Sequence, residues 1–197
     1  PEDMAKTTAY DWVRSSVRNL HLLADRSSAT FVVGLSMGAM LTLYLGATEG
    51  EWLRGIVTIN GAGLRDRKAM ADLCVELMKI DAPVMLPESG LWSQPMTKDP
   101  TVSYAYYSTY PGSAYLSLWG MVMVLEDLMP LLDGRVITLQ SKEDEVVPAA
   151  TAERLYQRLQ MEDKQLHWLL NSYHVATLDY DKGIIVEQIL GFIRQHT

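Results

Sequence analysis

The sequence predicts an α/β fold, a mostly parallel sheet flanked by helices, from three observations. A β-branched run, Thr30-Phe31-Val32-Val33, enters a Gly-x-Ser-x-Gly turn and leaves it as an alanine- and leucine-rich helix. A second apolar run at residues 53–60 follows that helix, and strand, helix, strand in this order places the two strands parallel in one sheet. The same alternation resumes at residues 135–193, after a segment that breaks it.

The elements follow in order. Thr8 with Asp11 three positions later marks a helix start, and Val13, Val17, Leu20 and Ala24 form its apolar stripe. Residues 40–45, Met-Leu-Thr-Leu-Tyr-Leu, are apolar on nearly every side, which predicts a buried helix, stopped at Glu49-Gly50. The strand at 53–60 ends at Gly61-Ala62-Gly63. Residues 135–140 predict the next strand, then a helix with Ala152, Leu155, Tyr156 and Leu159 on its buried side and Pro148 in its first turn. Residues 166–170 predict another strand, Asn171-Ser172-Tyr173-His174 the loop after it, and Ile184, Ile185, Ile189, Leu190 and Ile193 the buried side of a last helix.

Residues 64–132 carry helical spacing at Met70, Leu73, Cys74, Leu77 and Met78, then Pro83, Pro87, Pro95 and Pro100 in irregular chain, then an apolar helix over 113–129 with Tyr115, Trp119, Val122 and Leu125. The segment is expected to be a small helical lid inserted over the sheet, with 1–63 and 133–197 forming the core. Its methionines, with Trp92, Tyr104, Tyr106, Tyr107 and Tyr110, offer adaptable apolar surface for acyl or aryl groups, or simply pack the insertion itself. On the first of these readings Trp119 and Met123 meet the acyl chain.

At 197 residues, 48% apolar and 21% charged, the chain is long enough for one domain with a sizeable core. A net charge of −7 disfavours nucleic acid and anionic membranes, both of which need clustered cations. The single cysteine, Cys74, excludes an internal disulfide, predicts a buried thiol and points to a cytoplasmic location. No stretch is read as long enough to span a membrane, and no basic start precedes an apolar core, so no stable membrane insertion is expected.

The turn around Ser36 carries the chemistry. A serine between strand and helix must take up a strained backbone, and flanking glycines remove side chains that would collide across the turn. The hydroxyl is then exposed as a nucleophile, and the N–H of Met37, at the helix N-terminus, faces the site where an oxyanion forms. The alternative is a plain strand–helix turn packed closely on small residues. Serine needs a histidine to take its proton and a carboxylate to orient that histidine. Of four histidines, His21 falls mid-helix, His167 within a strand and His196 beside the terminus, whereas His174 lies in a loop after a strand. The acid is open on these grounds: Glu143, Asp144 and Glu145 are adjacent, and Asp179 and Asp181 follow the histidine.

Three stretches, Gly34-Leu35-Ser36-Met37-Gly38, Asp144-Glu145-Val146-Val147-Pro148 and Ser172-Tyr173-His174-Val175-Ala176-Thr177-Leu178-Asp179, resemble the α/β-hydrolase superfamily, in its bacterial carboxylesterase and monoacylglycerol-lipase branch. The resemblance covers most of the chain outside the lid. It implies an order Ser36, Asp144, His174 for nucleophile, orienting acid and general base, with Met37 as oxyanion donor and no metal or organic cofactor. It also implies a small-molecule ester substrate, of medium acyl chain or a monoacylglycerol, cleaved through an acyl-enzyme. A thioesterase or lactonase with the same triad, or a ligand-binding module of the same fold without turnover, are the alternatives. The family's front strands and the loop giving its second oxyanion N–H have no counterpart here, so the fold is expected to be N-terminally incomplete. The strand at Phe31-Val32-Val33 is then an uncovered sheet edge open to self-association.

Overall fold

The computed structural model describes residues 2–61, 67–79, 85–87, 95–105, 107 and 109–197. Four strands form one sheet in the order β1 (Phe31–Leu35), β2 (Gly55–Ile59), β5 (Val136–Ser141), β6 (Lys164–Leu169), every neighbouring pair parallel. Among the described residues six α-helices accompany them: α1 (Ala9–Ala24), α2 (Met37–Thr48), α3 (Arg67–Met78), α4 (Gly112–Leu128), α5 (Ala150–Arg158) and α6 (Lys182–His196). Each strand predicted from the sequence forms, with bounds that differ by one to two residues at most ends.

Alternation along the strands divides the core. Ile56 and Val136 point to one face, where they join Met40 and Leu43 of α2, Ala152 and Leu155 of α5, and Trp119, Val122 and Leu125 of α4 in one buried cluster. Val57, Ile59, Ile137 and Leu139 point to the other and meet Ile185 and Phe192 of α6. Helix α2 lies between β1, β2, α1 and α4, which accounts for an apolar surface all round it. Its partner α1 begins as expected, with the Asp11 carboxylate accepting from the N–H and hydroxyl of Thr8, both at 2.9 Å.

Several expectations are corrected. In α6 the buried positions are Ile185 and Phe192, with Ile189 half-buried; Ile184 and Leu190 are exposed, because the stripe facing the sheet is narrower than the apolar composition of the helix. Pro87 lies in a short strand, β3 (Met85–Pro87), antiparallel to β4 (Thr109–Pro111). Cys74 is half-buried, free, and packed against the larger cluster. One described stretch, Gly112–Leu131, does have the length and hydropathy to cross a bilayer. It packs on α1, α2 and α3 and buries Trp119, Met121, Val122 and Leu125, as a core helix does. Trp119 therefore joins the core shared with α2, while Met123, one turn further on, is exposed. Trp92 and Tyr106 lie outside the described residues.

Strand β1 is the edge of the four-stranded sheet and is paired only with β2 among the described residues. Val33, in its middle, is 44% exposed.

Candidate active site

The turn that ends β1 holds Ser36 at φ 56° and ψ −120°, a left-handed conformation that a residue with a Cβ adopts only under constraint, at roughly 1–3 kcal/mol. The constraint is visible on both sides. The Ser36 N–H donates to the Ile59 carbonyl at 2.9 Å, continuing the β1–β2 pairing, while its carbonyl accepts from Ala39 N–H at 3.0 Å as α2 begins. Close approach makes glycine necessary at two places. A Cβ on Gly34 would collide with the Gly38 carbonyl, and one on Gly61 would collide with Ala39 Cβ and stand 2.6 Å from the Ser36 carbonyl. The sequence expectation is corrected at Gly38, where an added Cβ meets nothing within 4 Å outside its own helix. The space the turn needs is left by Gly34 and by Gly61, just beyond the neighbouring strand, not by the second glycine of the pattern.

His174 comes to this turn from the loop after β6. Its Nε2 lies 2.9 Å from Ser36 Oγ and its Nδ1 2.9 Å from Asp144 Oδ2. Asp144 is 5% exposed and His174 7%, with Ser36 half-buried, so the relay runs from the interior to the surface of the sheet's C-terminal edge. The second carboxylate oxygen, Asp144 Oδ1, accepts from the N–H groups of Val146 and Val147, both at 2.9 Å. In that turn backbone donors fix the carboxylate while its other oxygen faces the imidazole. Met37 is the first residue of α2, where an N–H has no intrahelical acceptor and the helix end carries partial positive charge.

The competing acids fall elsewhere. Glu143 and Glu145 are exposed, and Glu143 accepts from Lys98 Nζ at 2.7 Å, which holds that ammonium above the ordinary lysine value. Asp181 accepts from Asn171 N–H at 2.8 Å. Asp179 is fully buried and accepts four backbone N–H groups, from Lys98, Asp99, Tyr173 and Tyr180, at 2.6–2.9 Å. With Val175 N–H donating to the Met96 carbonyl at 2.8 Å, it fastens residues 96–99 to the histidine loop. The remaining histidines are remote from Ser36: His21 pairs with Glu49 at 2.8 Å, His167 contacts Gln165, and His196 packs on Phe192.

Sequence reasoning missed the polar residues beneath the relay. Gln140, buried on β5, donates to the Val147 carbonyl at 3.0 Å and approaches Asp144 Oδ2 at 3.5 Å, and Asn60 bonds to Ser141, Tyr173 and His174. The one available signal was a fully polar side chain at the C-terminal end of an otherwise apolar strand.

The family described as serine aminopeptidase, S33, matches residues 10–181. A thermostable monoacylglycerol lipase of Bacillus sp. (strain H-257) is 34% identical over 197 residues, spanning 99% of this chain and 74% of that protein. A carboxylesterase of Bacillus subtilis (strain 168) is 20% identical over 199 residues, 99% and 76% of the two chains. Among solved structures, one from a study of the metagenome-derived lipolytic enzymes LipS and LipT superimposes with a TM-score of 0.88 at 37% identity, covering 100% of this chain and 77% of the other. A monoacylglycerol lipase of Paleococcus ferrophilus shares the fold, with a TM-score of 0.77 at 18% identity and coverage of 97% and 77%. The four-stranded parallel sheet, the strained serine turn and these matches agree, and the chain belongs to the serine aminopeptidase S33 family, on the lipase and esterase branch of the α/β-hydrolase superfamily.

Proposed function

We propose that the protein hydrolyses carboxylic esters of medium acyl chain, monoacylglycerols among them, through an acyl-enzyme on Ser36. The observation that carries this is the unbroken relay Asp144–His174–Ser36, both links at 2.9 Å, ending on a serine held at φ 56° against a helix N-terminus. His174 Nε2 takes the hydroxyl proton as Ser36 Oγ bonds to the ester carbonyl carbon. The carbonyl π electrons move to oxygen, and the Met37 N–H stabilises that oxyanion, a donor worth about 2.7–4 kcal/mol in such sites. The imidazolium, oriented by Asp144, returns its proton to the departing alkoxide. Water then repeats the sequence on the acyl-enzyme and frees the acid. The lipase and carboxylesterase relatives support an ester over an amide substrate.

The cap of residues 64–132 is part of this reading, with the stripe of α4 packed against α1, α2 and α3. So is self-association through the β1 edge, where Val33 is exposed. A cytoplasmic location is inferred from the single cysteine.

A fluorophosphonate probe and a p-nitrophenyl ester series test the proposal. Stoichiometric labelling that Ser36→Ala abolishes, together with an acyl-enzyme burst, is expected. A folded protein that neither labels nor turns over any ester would make it a ligand-binding module, and turnover confined to thioesters or lactones would select those alternatives.

A further inference from the structure

We propose that Asn60 is a positioning residue for catalysis, whose carboxamide sets the main chain of the histidine loop against the end of β5 and thereby sets the His174–Ser36 distance. This rests on the acyl-enzyme reading above.

Asn60 follows the last residue of β2 and has no exposed surface. Its amide nitrogen, with two protons, donates to the His174 carbonyl at 2.8 Å and to Ser141 Oγ at 2.9 Å, and lies 3.1 Å from the Tyr173 carbonyl. Its amide oxygen accepts from Ser141 N–H at 2.7 Å. Ser141 Oγ in turn donates to the Tyr173 carbonyl at 2.9 Å, closing a small polar network in which each participating group has a partner. The backbone extends the connection: Asn60 N–H donates to the Leu139 carbonyl at 3.0 Å, and the carbonyl of Ile59, one residue earlier, receives the N–H of Ser36. Two consecutive residues thus touch the nucleophile turn, the strand leading to the acid loop, and the loop bearing the base.

The side-chain type is specific to this task. The loop presents carbonyls, which require donors, while Ser141 N–H requires an acceptor, and a carboxamide supplies both from one short stem. Aspartate would set a charge against two carbonyls. The backbone adds a second requirement, since Asn60 sits at φ 46°, where asparagine is favoured among residues with a Cβ. Proton transfer between Ser36 and His174 needs the heavy atoms within hydrogen-bond reach, and a displacement of about 1 Å can lower a rate about 10²-fold. Among the described residues only Asn60 bonds the His174 carbonyl, and this network attaches it to the sheet.

Asn60→Gly separates the two requirements, because glycine accepts the backbone conformation and deletes only the carboxamide. The full chain is assayed for kcat and KM on a short p-nitrophenyl ester, each normalised to active sites counted by fluorophosphonate at completion. The expected result is a 10- to 100-fold fall in kcat per counted site, a parallel fall in the labelling rate, and a KM within twofold of wild type. A variant with fewer counted sites, each at full kcat, would overturn the proposal and leave Asn60 a folding residue. Should Asn60→Gly fail to fold, Ser141→Ala removes only the hydroxyl link, and a smaller parallel fall in kcat and labelling rate is expected; unchanged kcat there overturns the proposal equally. A wild type that labels and turns over while Asn60→Gly matches it defeats this inference alone, whereas a wild type that does neither defeats the reading beneath it.

Discussion

Asp144 and Asp179 are two buried carboxylates on either side of one histidine loop, and their partners assign them different work. Asp144 spends one oxygen on two backbone N–H groups and turns the other to the imidazole. Asp144→Asn keeps the first oxygen and should melt close to wild type, while the altered orientation of His174 lowers kcat by about 10³–10⁴-fold in ester assays. Asp179 divides four N–H donors between its two oxygens. Asp179→Asn turns an amide NH2 toward donors, each left unsatisfied at about 1–3 kcal/mol, so thermal denaturation should show a clear drop in Tm and a kcat loss at least tenfold smaller than that of Asp144→Asn. The reverse pairing of effects would exchange the two assignments. Ser36 and His174 were legible in the sequence because strand endings and glycines punctuate them. Asn60 and Asp179 were not, since their partners are backbone groups up to 114 positions away, and no residue type announces which distant carbonyl or N–H it will meet.

At the scale of the element, α4 marks where sequence pattern runs out. Its 3.6-residue stripe of Trp119, Val122 and Leu125 predicts an apolar helix equally well for a lid or a core, because periodicity identifies the buried face and not the surface that buries it. The structure gives that surface as α2, α3 and α1. Trp119→Ala should therefore cost about 3–5 kcal/mol in urea denaturation, while Met123→Ala, at a position 42% exposed, stays within about 0.5 kcal/mol of wild type. A stable Trp119→Ala enzyme with altered chain-length preference would instead return α4 to the substrate. The ribbon of β3 and β4 escaped notice because three residues are too few to show alternation and each strand ends in proline. Residues 98–101, between the two strands in sequence, are tied down by charge. The Thr101 hydroxyl and N–H hold the Asp99 carboxyl below the usual range, an effect present above the unfolded carboxylate value and lost only as pH falls through the lowered one. The raised Lys98 ammonium behaves oppositely, its contribution complete below the unfolded lysine value and lost as pH rises through the raised one. Hydrogen exchange of the Lys98 and Asp99 amides, corrected for intrinsic rates, should accordingly show constant protection across the neutral range.

For the molecule as a whole, the order β1-β2-β5-β6 puts the nucleophile strand at an edge. Val33 on β1 and Ile184, Val186 and Leu190 on α6 are exposed apolar groups, and a parallel edge with no second partner among the described residues can accept a strand from another copy. Sedimentation of the 197-residue chain should reveal concentration-dependent association that Val33→Lys reduces; a monomer at every concentration would refute it. The strand at 31–35 and its α/β surroundings were plain from composition and alternation, and an edge position followed from the family resemblance alone. One further consequence is written into the serine turn. A side chain at φ 56° is endured for the sake of its hydroxyl, so the protein forgoes about 1–2 kcal/mol that glycine would restore at that position. Ser36→Gly should melt several degrees above Ser36→Ala, though neither can form an ester with substrate, and equal melting would mean that the surrounding fold has absorbed the difference. Durability and chemistry meet in a single dihedral angle, and of two dead enzymes the one that can relax it should outlast the other.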